Sequence, residues 1–359
     1  MIDRRTFVGL GLAVGAGTLA RAAGAASADS TAAATAAPAP DYGASGVQRR
    51  HPLEFRVDDS FRPDLSDGSA RLLVDGVLAF LEDEHPNGLT MTFWDLHPGS
   101  MPFLRRHLER IVEAVFAGVA ETLDRRPVDP LLVLTVLYNE SRFHPKVVSP
   151  AGAVGMAQIM PETATELGLA PVAHGDVWER YRTVRSVYRA ERAARIRAYR
   201  AAHGVRVFGA DDAIARALET GDVGVLAAYR SIADSPDPSK DARREYVEAL
   251  EATFAQYEFF WDGREPLGAI DARVGYDAVR AAVRYLAQSL GSWQGLANTA
   301  VAAYNAGPGA VRAAGPNSIL HRFGDIPTYG ETIRYVQRFA AVYSALKYRL
   351  FEVERNGPA

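Results

Sequence analysis

Residues 129–145, DPLLVLTVLYNESRFHP, constrain the fold more than any other stretch of the chain. Asp129 followed by Pro130 is a helix start: a capping acid, then a ring whose fixed φ suits the first helical position. Leu131, Leu132, Val133, Leu134, Val136 and Leu137 make this helix apolar nearly all round, so other elements must surround it. It ends near Glu140, because Phe143-His144-Pro145 cannot continue it. The fold must therefore carry a carboxylate to the edge of a core and then turn the chain away.

Elsewhere the pattern is helical. Residues 71–84 and 102–125 have helical periodicity, the second with Leu104, Leu108, Ile111, Val112, Val115 and Val119 on one side. Pro161 starts a short helix that stops at Gly168. Further helices are expected at 177–202, 211–232, 239–261, 276–290 and 293–304, and Asn305-Ala306-Gly307-Pro308-Gly309 is a turn signal. Thr328 and Glu331 form a capping box before a last helix through Ile333, Val336, Phe339, Val342, Leu346 and Leu350. No convincing period-two strand and no internal repeat occurs, so the expected class is all-α.

The N-terminus reads as an export signal rather than as fold. Arg4 and Arg5 lie in a charged leader, residues 8–20 are apolar and Gly-rich, and Ala26-Ser27-Ala28 offers a small-x-small cleavage site. Residues 1–28 are read as a signal peptide of twin-arginine type, with an ordinary Sec signal as the alternative. Its apolar core is too short for a comfortable membrane span. Residues 29–50 are rich in Ala, Thr, Pro and Gly and read as a disordered leader. The chain has no cysteine, which excludes disulfides, Cys-ligated metal and a lipid-modified cysteine anchor. A net charge of −3 gives no reason to expect a nucleic-acid partner. The eight histidines are scattered without ligand spacing, so no metal and no cofactor is expected. No stable membrane anchor is expected, and no protein partner is legible.

Four fragments in order carry chemistry: Glu140-Ser141-Arg142-Phe143; SPAGAVGMAQIMP at 149–161; Ala303-Tyr304-Asn305-Ala306-Gly307; and Glu331-Thr332-Ile333-Arg334-Tyr335-Val336. Together they resemble the soluble lytic transglycosylases, whose patterns read E-S-x-F, S-x-x-G-A-x-G-L-M-Q-I-M-P, A-Y-N-A-G and E-T-x-x-Y-V. The resemblance implies a lysozyme-like domain over 127–169 and 270–359. An N-terminal helical segment, 51–126, would pack on it, and a large helical insertion, 170–269, would interrupt it. It also implies peptidoglycan glycan strands as substrate, cleaved without water between N-acetylmuramic acid and N-acetylglucosamine to leave 1,6-anhydro ends.

Glu140 suits the part of acid and base on its own chemistry. Glycoside cleavage needs an acid still protonated near neutral pH. Desolvation near Tyr138 and Phe143 raises a carboxylate pKa, and a helix C-terminus pushes the same way. Without the other motifs, a structural carboxylate at a helix end would be the better reading. No second carboxylate stands out: Glu162 and Glu166 suit a helix start, and Glu331 suits a cap. The resemblance implies that Glu140 works alone, aided by the substrate's acetamido group.

By position, Ser149 and Gln158 are candidates to hydrogen-bond sugar, Met160 to line the cleft, and Tyr304 and Asn305 to contact sugar or Glu140. Their bland readings are a loop cap, a surface amide, core, core and a turn residue; Tyr335 reads as core. Ala157 is smaller than the family's methionine, which would widen the cleft floor. Nine arginines within 176–206 face only Asp176, Glu179 and Glu191, and could meet wall carboxylates or form a solvated face. Trp178, Tyr181 and Tyr188 read as a packing seam. A muramidase hydrolysing the same bond and a non-catalytic wall-binding protein are the alternatives.

Overall fold

The computed structural model describes residues 57, 60–84, 101–170, 175–203, 221, 224, 227, 231, 235–255, 271–314 and 330–356. The expected signal peptide and leader lie outside the described residues, as do Thr328 and all but a few single positions of the helix expected at 211–232.

The architecture is all-α. In chain order the helices are α1 (Asp67–Glu84), α2 (Met101–Thr122), α3 (Pro130–Ser141), α4 (Pro161–Glu166), α5 (Gly175–His203), α6 (Ser239–Ala255), α7 (Tyr276–Ser292), α8 (Ala297–Ala306), α9 (Pro308–Ala314) and α10 (Gly330–Asn356). Among the described residues there is no strand, only isolated bridges of Val154 to Val148 and to Ile159. No described helix is long and apolar enough to cross a membrane.

Helix α3 forms as its sequence dictates. Asp129 caps it, accepting from the Leu131 amide at 2.9 Å, and Pro130 takes the first helical position. Every residue of α3 except Glu140 is buried. Helices α2, α7 and α10 pack around it, and α1 lies against α2 and α10. Leu104, Leu108, Ile111, Val112, Val115 and Val119, the expected stripe of α2, are all fully or almost fully buried in that core. Phe80 of α1 meets the Tyr138 ring edge-on, with centroids 5.1 Å apart, so α1 backs the end of α3 that carries the acid.

Two local expectations are corrected. The helix expected at 293–304 starts at Ala297, because Gln294 and Gly295 adopt φ of 51° and 83° after α7. The Gly295 amide then closes on Leu290 O at 2.7 Å, a helix stop that the apolar pattern of 293–304 hid. The turn signal at 305–309 is a helix junction: Gly307 ends α8 with φ 84°, and Pro308 opens α9.

Helices α5 and α6 pair and build a second, smaller core. Trp178, Tyr181 and Tyr246 pack together, with ring centroids 4.9–5.8 Å apart, alongside Ala242, Leu250, Phe254, Val154 and Val274. Trp178 and Tyr181 are thus buried in packing. Several α5 arginines are held in ion pairs: Arg180 with Glu245, Arg182 with Glu179, Arg185 with Glu162 and Arg195 with Glu191. Arg185 ties α5 to α4 and accounts for Glu162 as a structural carboxylate.

Candidate active site

Glu140 sits one residue before the end of α3, partly exposed where its neighbours are buried. Two consecutive non-glycine residues with left-handed backbone follow it, Arg142 at φ 54° and Phe143 at φ 66°. Such conformations cost energy and persist only where surrounding contacts fix them. Here the contacts are plain. The Arg142 amide closes on Tyr138 O at 2.8 Å, Phe143 is fully buried, and Ser141 Oγ reaches Met156 O at 2.8 Å.

A further contact comes from α2. His107 is buried, with Nε2 2.9 Å from Phe143 O and Nδ1 2.9 Å from the Tyr276 hydroxyl. Burial pushes its pKa down to about 4, so it is neutral at ordinary pH. A neutral imidazole satisfies both partners: Nε2–H donates to the carbonyl, and Nδ1 accepts from the phenol. The segment before α3 therefore locks the elbow beyond the acid.

Burial pushes the Glu140 carboxyl up to about 7, helped by Glu331 and opposed by the Tyr335 hydrogen bond and the Arg338 charge. Tyr335 O–H donates to Glu140 Oε1 at 2.5 Å. Reading Tyr335 as core captures its burial, at 6% exposed, but not its hydroxyl. Since that bond favours the ionised carboxylate, Tyr335→Phe is expected to raise the Glu140 pKa further. The measurement is the alkaline limb of the pH–activity curve, which should move up by several tenths of a unit or more. A limb at its wild-type place would show that the bond carries no weight.

The loop from Val147 to Met160 faces this helix end. Ser149 Oγ accepts from the amides of Ala153 (2.9 Å) and Ala151 (3.3 Å), so it caps its own loop. Gln158, at φ 48°, turns Nε2 back onto Val147 O and Gly155 O, both at 2.8 Å. Met160 is partly exposed at the start of α4. Tyr304 of α8 donates to Ala157 O at 2.7 Å, not to Glu140. Burial first, and Glu140 second, drive its pKa well above the ordinary tyrosine value. Asn305 Oδ1 accepts from Thr332 Oγ1 at 3.0 Å and joins α8 to α10.

Beneath the loop lies a buried ion pair that no motif announced. Arg273 and Asp271, 0% and 1% exposed, meet at 2.6 Å. Arg273 also reaches Ile159 O at 3.3 Å and Gly152 O at 3.5 Å. Gly155 crosses this pair at φ 79°, and a Cβ there would lie 2.1 Å from Arg273 O, so only glycine fits.

Among the described residues no group of three or more His, Asp or Glu gathers to hold a metal ion. The arrangement places the Glu140 carboxyl, raised to about 7 by burial, at the edge of the core.

Part of the chain that carries this site resembles known proteins. The Transglycosylase SLT domain matches residues 119–190 and 270–318. The chain is 31% identical over 78 residues to "Membrane-bound lytic murein transglycosylase C" of Haemophilus influenzae strains PittEE and PittGG. That stretch is 22% of this chain and 20% of each relative, so the chain spans about a fifth of the length of the curated relatives it matches. No solved structure matches significantly. Glu140, the loop and Tyr304 all fall inside the two segments that match the SLT domain.

Proposed function

We propose that this protein is an exported peptidoglycan lytic transglycosylase in which Glu140 is the single acid and base. The observation that supports this most is a carboxyl pushed up to about 7 at the end of a buried helix, within a matched SLT domain. Such a group is largely protonated just below neutral pH and can both donate and recover a proton there.

In this reading Glu140 protonates the oxygen linking N-acetylmuramic acid to N-acetylglucosamine as the bond from that oxygen to C1 breaks. The muramoyl acetamido oxygen stabilises C1. The Glu140 carboxylate then takes the proton of the C6 hydroxyl, and O6 bonds to C1, closing the 1,6-anhydro ring. No water enters, and Glu140 ends protonated as it began. Tyr335 stabilises the carboxylate stage through its hydrogen bond. Ser149, Gln158, Met160, Tyr304 and Asn305 line the sugar site. With Gln158 Nε2 bonded to its own loop and Asn305 Oδ1 accepting from Thr332, Gln158 Oε1 and Asn305 Nδ2 are left for substrate. The name of the Haemophilus influenzae relatives speaks of murein, which fits this substrate class.

The deciding experiment incubates the purified protein with peptidoglycan and weighs the soluble products. Anhydro ends, lighter than reducing ends by one water, are expected. Reducing ends would make the protein a muramidase, and no soluble product would make it a wall-binding protein.

A further inference from the structure

We propose that Arg338 is a positioning residue for Glu140, one that holds both the helix end bearing the acid and the phenol that donates to it. The proposal rests on the reading of Glu140 as acid and base. Asn139, immediately before Glu140, is 8% exposed. Arg338 lies three residues after Tyr335 on α10. Its Nε donates to Asn139 Oδ1 at 3.1 Å, and its Nη2 donates to Asn139 O at 2.9 Å. The same guanidinium lies over the Tyr335 ring, 5.8 Å from the centroid. One planar group thus touches the main chain beside the acid and the ring of the acid's hydrogen-bond donor.

The geometry suits arginine specifically. The Asn139 carbonyl is among the last four of α3, which have no partner inside the helix. Arg338 satisfies it and sets a positive charge at the negative end of the helix. A lysine could meet one of these needs, but not a two-pronged contact and a ring stack together. Asn139 Nδ2 is buried with no hydrogen-bond partner among the described residues, so the Asn139 amide works through its oxygen, toward Arg338.

The charged and titratable groups acting on Glu140 are Tyr335, Arg338 and Glu331 on α10, and Tyr304 on α8. Arg338 supplies the positive charge in this set. It opposes both burial and Glu331, although its exposure to solvent limits the effect.

The test compares wild type with R338M and R338K in the full chain. R338M is expected to lower kcat about tenfold through misplacement of the acid, with KM within about twofold. It should also move the Glu140 titration upward by a few tenths of a pH unit. R338K keeps the charge and loses the clamp, so kcat should fall while the titration stays in place. The titration is read without substrate, from the NMR shift of the Glu140 side-chain carboxyl carbon, assigned by its absence in E140Q. If wild type releases no muropeptides, the proposed reaction fails while the titration arm still tests Arg338. A lowered melting temperature in R338M with wild-type kcat and titration would make Arg338 merely structural and overturn the proposal. Should R338M fail to fold, wild-type kcat in R338K would overturn the clamp.

Discussion

Glu140→Gln is expected to lower peptidoglycan turnover by about 10²–10⁴-fold, the usual contribution of a positioned acid and base, while leaving the protein folded. Glutamine keeps the shape of the side chain, and its carbonyl can still accept from Tyr335, so the packing around α3 has no reason to change. The wild-type pH dependence follows from the same group. With a carboxyl near 7, activity that begins with proton donation should fall as pH rises through about 7. Stability should follow the same sign. The folded pKa lies above the unfolded value of 4.5, so the folded state binds the extra proton between the two. That contribution is fully present below the unfolded value and is lost as pH rises toward 7. Glu140→Gln removes the titration, so its stability should exceed that of wild type above pH 7, as read by denaturant unfolding across pH. Full turnover by the variant would remove Glu140 from the chemistry.

Breaking the Asp271–Arg273 pair is expected to have the largest effect on stability. Arg273→Met leaves a fully buried carboxylate without its cation and takes a donor from Ile159 O. Removing one partner of a buried pair costs about 3–5 kcal/mol, a large share of the roughly 5–15 kcal/mol that holds a domain folded. The loss should be local in its structural consequence, because Arg273 underlies the loop that carries Ser149, Gln158 and Met160. Replacing both charges, Asp271→Leu with Arg273→Met, should recover much of the loss, since no buried charge is then left alone. Chemical denaturation of the three proteins measures this. Equal destabilisation in the single and double variants would show that the side-chain bonds to the loop matter more than the charge.

Much of the site was legible because its signals are local. Capping by Asp129, the place of Pro130 and the approach of an apolar helix to Glu140 all depend on residues within a few positions of one another. Local reading failed where two local signals competed. The apolar pattern at 293–304 suggested one helix, yet the Gln294–Gly295 backbone ends the preceding helix first. Ser149 and Gln158 have donors and acceptors suited to sugar, but those same groups serve their own loop, and only the folded loop decides which of their atoms remain. The arginines of α5 looked like a basic face from the sequence. Two of them, Arg180 and Arg185, are matched by carboxylates from α6 and α4 that no spacing rule would pair with them.

By itself the sequence determined an all-α chain built around one buried helix, and it placed the acid at that helix's end. Helix boundaries and burial are written in short-range backbone and hydrophobic patterns, so a single chain suffices to read them. Only the tertiary structure decided what controls the acid. Tyr335, 195 residues further along, donates to Glu140; Arg338 grips Asn139; His107 fixes Phe143; and Asp271 with Arg273 supports the facing loop. Each is a polar contact between segments distant in the chain. The strength of such contacts comes from desolvation in a packed interior, which exists only once those segments have come together.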